Sequence, residues 1–152
     1  MSKEPPVFLF LWQDFWSKAL KNRGSIMHRT VISTDNAPSA IGPYSQAVSA
    51  NGMLFISGQL PINPETGKML EGNIGDKTDQ IVKNAGAIAA AAGTTLENVV
   101  KTTIFLTDLG DFKEVNEAYA KHFTEAPPAR STVQVAALPL GSNIEVEFIL
   151  AT

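Results

Sequence analysis

The chain has 152 residues, 44% of them hydrophobic and 18% charged, a balance that suits one globular domain and excludes a disordered or membrane-embedded polypeptide. It contains no cysteine, which removes disulfides, thiolate metal sites and a cysteine nucleophile. The net charge of −3 is uneven: Lys3, Lys18, Lys21 and Arg23 outnumber Glu4 and Asp14, so the remainder after residue 26 stands at about −5, and a polyanion-binding surface is not expected there.

Residues 1–26 differ from everything after them. Both tryptophans, Trp12 and Trp16, lie in this stretch. Its apolar run is too short to span a bilayer, it lacks a small-residue cleavage site, and Glu4 and Asp14 fit poorly with a mitochondrial transit peptide. Phe8, Trp12, Phe15, Trp16 and Leu20 share one face if the segment is helical. It reads as an appended N-terminal extension, a membrane or partner helix being the alternative, with residues 27–152 forming the domain. No membrane association is expected of that domain.

From Met27 the elements follow with short connections. His28–Ser33 reads as an edge strand, followed by a loop rich in turn formers. Ala47–Ala50 and Met53–Ser57 read as strands joined by Asn51-Gly52, a strong tight-hairpin signal. The stretch after Leu60 reads as loop up to Asp76–Ala92, a helix with Ile81, Ala85, Ile88 and Ala92 on one face and Gly93 past its end. Val99–Leu106 is a β-branched strand, Asp111–Phe123 a second helix, and Ser131–Ala136 and Ile144–Leu150 two closing strands. The order β-β-β-α-β-α-β-β predicts an α+β fold, related to the ferredoxin-like class, with two helices on one face of a mixed sheet. In the last strand Ile144, Val146 and Phe148 oppose Glu145, Glu147 and Ile149. The open face therefore mixes apolar and polar groups, which oligomerisation would cover.

Few residues offer chemistry. Arg130 opens a strand after a proline turn and can present a planar fork of donors to a carboxylate, although a surface arginine paired with a nearby acid reads equally from the local pattern and is the commoner case. Glu145 alternates with apolar neighbours; half-buried, its pKa would rise and it could hold a water or act as a base, whereas on an exposed edge it would do neither. Ser57 and Gly58 end a strand where a ligand could approach the backbone, and Tyr44 could cap a pocket or simply pack. His28 and His122 are the only histidines; His122 reads as a solvated or lightly packed residue rather than a triad member, and no acidic cluster has metal-ligand spacing. With no P-loop and no GxGxxG, no cofactor and no metal are expected.

The strings AIGPYSQAV, FISGQLPINPETG, VVKTTIFLTDLGDFKEVNEAYAKHF and PARSTVQVAALPLGSNIEVE resemble the RidA/YjgF/UK114 family along essentially all of residues 28–152. The resemblance implies a chorismate-mutase-like homotrimer with sites in the clefts between subunits. It implies hydrolysis of reactive 2-imino acids, such as 2-iminopropanoate and 2-iminobutanoate, to 2-oxo acids and ammonia. By the same resemblance Arg130 clamps the substrate carboxylate, Glu145 positions the attacking water, and Tyr44, Ser57, Gly58, Asn116 and Thr132 line the pocket. Many bacterial members have cysteine where this chain has Thr132, so a redox-sensitive thiol role is absent. The alternatives are a non-enzymatic small-acid-binding or chaperone-like protein, and an RNA-directed translation inhibitor or endoribonuclease. Small 2-imino and 2-oxo acids and further copies of the chain are the expected partners. The cytoplasm is the expected compartment, with the mitochondrion second should residues 1–26 target the chain.

Overall fold

The computed structural model describes residues 29–152; the readings of residues 1–26 and of His28 lie outside them. Ten elements follow in chain order: β1 (Thr30–Ile32), β2 (Ala47–Ala50), β3 (Met53–Gln59), β4 (Ile62–Asn63), β5 (Lys68–Met69), α1 (Ile74–Ala91), β6 (Val99–Leu106), α2 (Phe112–Ala120), β7 (Ala129–Gln134) and β8 (Ile144–Ala151). Six strands form one sheet in the order β1-β2-β3-β8-β6-β7. Only β6 and β7 run parallel, joined by α2; every other pairing is antiparallel. The expected α+β arrangement of two helices and a mixed sheet is therefore present.

The Asn51-Gly52 turn has positive φ at both positions (53° and 74°), the backbone twist that two-residue hairpins need, and it closes the Ala50↔Met53 pair. Strand β8 returns from the far end of the chain to lie between β3 and β6. Its residues alternate strictly. Ile144, Val146, Phe148 and Leu150 are each at most 1% exposed and meet Leu54, Ile56, Ile104 and Leu106 of the flanking strands. Ile81, Val82, Ala85, Ile88 and Ala89 of α1, with Val115 and Tyr119 of α2, close this layer. The small alanines let α1 approach β3 and β8 closely.

The element boundaries differ from the sequence reading for local reasons. Helix α1 begins at Ile74, two residues earlier than the periodicity predicts, because the Asn73 side chain caps it by accepting from the Asp76 amide at 2.8 Å. Its end is closed by Gly93 (φ 77°), with Gly93 N donating to Ala90 O and Thr94 N to Ala89 O, a Schellman arrangement that satisfies the last carbonyls. Helix α2 stops at Ala120 rather than Phe123; beyond it the chain turns and His122 reaches Asp79 on α1, Nε2 to Oδ1 2.7 Å. His122 is thus lightly packed, its side chain 25% exposed, and ties the segment after α2 to α1. The stretch after Leu60, read as loop, contains the β4–β5 hairpin. Two residue pairs are too few to leave an alternating pattern in the sequence, and an Asn63 side-chain turn (Oδ1 accepting from Glu65 N at 2.8 Å) organises it.

The outer face of the sheet has no second layer among the described residues. Phe55 and Val133 stand 46% and 42% exposed there, beside half-buried Phe105 and Ile149 and exposed Glu147. No helix among the described residues is long and apolar enough to cross a membrane. Replacing the helix cap, Asn73→Ala, is expected to cost about 1 kcal/mol and lower the melting temperature by a few degrees. Unchanged thermal or urea denaturation would show that Asn73 does not hold the start of α1.

Candidate active site

The register of β3 against β8 breaks between Ile56 and Gln59. This irregularity turns Gly58 toward Glu145: a Cβ built on Gly58 would overlap the Glu145 carboxylate. Only a glycine leaves the carboxylate its seat. Around it lies a cavity of about 360 Å³ lined by Tyr44, Ser57, Gly58 and Glu145, with aliphatic walls that include Ile41, Leu60 and Leu140. Four of the residues assigned by the family resemblance therefore meet in one place. Ser57 is held at both its polar ends, Oγ donating to Ser45 O at 2.7 Å and N donating to Gln46 O at 3.0 Å. The Tyr44 hydroxyl accepts weakly from Ile41 N at 3.4 Å, folding its ring over the Gly42-Pro43 turn.

Gln46 is the residue that sequence reasoning missed. It is 5% exposed, and its amide donates to the carbonyls of Thr34 (3.0 Å), Ala37 (3.2 Å) and Pro38 (2.8 Å) while accepting from Thr34 N at 2.7 Å. These bonds fasten the loop that forms one cavity wall. A glutamine inside the turn-rich string was its only sequence signal, since burial is what makes the amide matter.

Glu145 has its pKa raised, first by burial and then by the neighbouring Glu147 carboxylate. Both effects disfavour the charged form. A carboxyl in that state can exchange a proton with a bound molecule nearer neutral pH than an exposed glutamate does.

Arg130, Thr132 and Asn116 lie elsewhere. Arg130 pairs with buried Thr102 across β6 and β7, which puts its side chain on the helix side of the sheet, whereas Glu145 points to the outer side. Its guanidinium sits 4.8 Å from the Tyr119 ring centroid and 5.8 Å from that of Phe112. No carboxylate among the described residues pairs with it, so the commoner reading of a surface arginine bound to an acid is set aside. The rings hold the cation while leaving its donors available. Tyr119 is fixed in turn by a 2.9 Å hydroxyl contact with Thr102 Oγ1 and by Phe123, 4.5 Å away between ring centroids. The Tyr119 pKa is raised by burial, opposed by the Thr102 bond and by the Arg130 charge.

Asn116 follows Phe112 by four residues and precedes Tyr119 by three, so it shares their helix face. Thr132 Oγ1 is buried without a hydrogen-bond partner, a costly state for a hydroxyl unless something polar arrives. The residues assigned by the resemblance thus fall into two separate groups. One offers a desolvated carboxylate in a cavity; the other offers an arginine and an unsatisfied hydroxyl on the edge strand. Strand β6 and the thickness of the sheet separate them. Among the described residues no group of three or more His, Cys, Asp and Glu side chains is placed to hold a metal ion.

The Glu145 environment has a consequence for stability. Its folded-state pKa exceeds the unfolded value, so between the two the native protein holds a proton that the unfolded chain has released. Stability therefore falls as pH rises through that window, and the full cost of the ionised group remains above it. Glu145→Gln is expected to melt higher than wild type at neutral pH, with the difference vanishing once the solution is acid enough to protonate the carboxyl in both states. A lower melting temperature for the glutamine variant at neutral pH would contradict a desolvated Glu145.

Residues 34–152 match the family described as Endoribonuclease L-PSP. The chain is 53% identical over 131 residues to "Reactive Intermediate Deaminase A, chloroplastic" of Arabidopsis thaliana, covering 86% of this chain and 70% of that protein. It is 49% identical over 125 residues to "2-iminobutanoate/2-iminopropanoate deaminase" of Homo sapiens, covering 82% and 91%. Among solved structures, that of E. coli TdcF with bound serine superposes with a TM-score of 0.77 at 42% identity, over 81% of this chain and 98% of that one. A match over 119 residues, with near-half identity to these relatives and a shared fold, establishes that the chain belongs to the RidA/YjgF (Endoribonuclease L-PSP) family.

Proposed function

We propose that this protein is a deaminase that hydrolyses reactive 2-imino acids, among them 2-iminopropanoate and 2-iminobutanoate, to 2-oxo acids and ammonia. The observation that carries the proposal is the Glu145 carboxylate seated against Gly58, with its pKa raised by burial, in a cavity shared with Tyr44 and Ser57. The names of the human and Arabidopsis relatives support it, and serine bound to the E. coli relative supports a small amino-acid-like ligand.

The reaction asks little of a protein. An imine carbon is already electrophilic, so water attacks it without a metal or a covalent nucleophile if orientation and one proton-managing group are supplied. In the proposed sequence Arg130 binds the substrate carboxylate. Glu145 takes a proton from water as its oxygen bonds to C2 and the C=N electron pair moves to nitrogen. Glu145 returns that proton to nitrogen, giving an amino alcohol; it then takes the hydroxyl proton as the C=O bond forms and passes it to nitrogen as the C–N bond breaks, so that ammonia leaves and the carboxylate is restored. Backbone groups near Gly58 and the free Thr132 hydroxyl are suited to hydrogen-bond the imine nitrogen or the product carbonyl, and Asn116 to line the same space.

This scheme requires the two groups of residues to meet, which one chain does not allow. We therefore propose a homotrimer of chorismate-mutase-like form, built by the domain of residues 27–152. In it Arg130, Asn116 and Thr132 of one copy face Tyr44, Ser57, Gly58 and Glu145 of the next. The uncovered apolar groups Phe55, Phe105, Val133 and Ile149 on the outer sheet face supply the surface such an assembly buries.

The test uses an amino-acid oxidase to generate imine in situ and semicarbazide to trap what survives. Wild type is expected to shorten imine lifetime. Arg130→Ala, which loses charge-assisted bonds of roughly 1.5–3 kcal/mol each, should lower kcat/KM by about tenfold to a hundredfold. Gly58→Ala should do likewise by displacing Glu145, with the fold intact. Imine lifetimes that wild type leaves unchanged across several side chains would end the deaminase reading in favour of a small-acid-binding or chaperone-like role.

The family description favours a second reading, action on RNA. Against it stand the acidic charge of residues 27–152 and the engagement of His122 with Asp79. An RNA-directed protein should bind RNA with an affinity that falls steeply with salt; little or no binding at low salt is the expected result here.

A further inference from the structure

The turn that delivers β8 into the sheet contains a backbone anomaly that the reaction scheme does not use. Only two non-glycine residues among those described have positive φ, Asn51 and Leu140. Asparagine in a tight hairpin is the usual occupant of such a position. A leucine at φ 57° is not, because its Cβ crowds the backbone in the left-handed region and the side chain gains no local hydrogen bond in return. One bond closes the turn across Leu140, Ser142 N donating to Pro139 O at 3.1 Å, and Ser142 is itself anchored to β8 by its buried hydroxyl, which donates to Ile144 O at 2.7 Å.

This turn places Leu140 on the wall of the Glu145 cavity, where it is 64% exposed. Ile41, 74% exposed, lines the same cavity from the loop fastened by Gln46. Leu60, Ile62 and Pro139 add to an aliphatic lining. Two large apolar side chains thus stand at the mouth of the Glu145 cavity, one of them held there by a left-handed backbone. The aliphatic groups line about 360 Å³ of space beside Glu145, so an apolar substrate side chain would meet apolar walls there.

We propose that Leu140 and Ile41 are specificity determinants of the Glu145 cavity and select 2-imino acids with extended aliphatic side chains, such as the imine of leucine, over the shortest members of the class. The inference rests on the deaminase reading for its substrate class. Apolar contact of this kind discriminates by burying side-chain methylenes that a short substrate lacks.

The test compares wild type with Leu140→Gly and Leu140→Asn, both of which accept the left-handed backbone and so preserve the turn. The imines of leucine and alanine are generated by an amino-acid oxidase, and the ratio of their kcat/KM values is measured. Wild type should favour the leucine imine, and both variants should lower the ratio by about tenfold, with Ile41→Ala moving it the same way. An unchanged ratio, or equal losses on both substrates, would overturn the inference. So would a change of oligomeric state in light scattering, which would make Leu140 an assembly contact. In parallel, calorimetric binding of the stable 2-oxo acids of the same two chain lengths separates the two claims. A protein that turns over neither imine, yet binds the longer oxo acid more tightly in a Leu140-dependent way, refutes the deaminase and keeps the specificity. Binding indifferent to chain length in wild type refutes the specificity by itself.

Discussion

Strand β8 lies between β3 and β6, and its two-residue alternation divides its chemistry between the two sides of the sheet. Ile144, Val146, Phe148 and Leu150 go inward, toward α1 and the core; Glu145 and Glu147 go outward. A slip of one residue would bury two carboxylates in the core and expose its largest side chain. The register is therefore held by the hydrophobic core, and the position of Glu145 follows from it. The catalytic candidate is placed by groups that never touch substrate.

That placement still required an irregularity. Within the break of register the residue that lies against Glu145 is Gly58, where a Cβ would overlap the carboxylate. The bulge at Ser57–Gly58, with a glycine at the contact, opens that space and brings backbone polar groups beside the carboxylate. Burial there raises the Glu145 pKa, and the Glu147 carboxylate adds to the shift. The stability that the ionised carboxylate forfeits is held by a core whose largest residues are essentially inaccessible.

The opposite edge of the sheet is organised by a different interaction. β7 pairs through one neighbour only, and its inward positions carry Arg130 and Thr132 where a central strand would carry aliphatic groups. Arg130 is stabilised by the aromatic faces of Tyr119 and Phe112 instead of by an acid. An aromatic support fixes a guanidinium without consuming its hydrogen-bond donors, whereas a salt bridge would have occupied them. The buried Thr132 hydroxyl on the same strand lacks a hydrogen-bond partner.

Much of the fold was legible in the residues themselves. Period-two and period-3.6 patterns located the six sheet strands and both helices, and Asn51-Gly52 named its own hairpin, because these signals depend only on neighbours along the chain. The β4–β5 hairpin and the early start of α1 escaped, since two paired residues and one capping side chain leave no periodic trace. For the site, the motif strings pointed to seven residues but the local pattern could not choose between a functional and an exposed Arg130 or Glu145. Partners from distant elements define their surroundings: Tyr119 and Phe112 from α2 for the arginine, Gly58 from β3 for the glutamate. Gln46 and Leu140 were invisible as site residues, because burial and a left-handed backbone are properties of the folded chain. The sequence by itself determined the fold class, the elements and the family, all of them readable from order and spacing. Only the tertiary structure decided which faces those side chains share, that Arg130 and Glu145 lie on opposite sides of one sheet, and how buried each is, since distance and desolvation arise only when residues far apart in the chain are brought into contact.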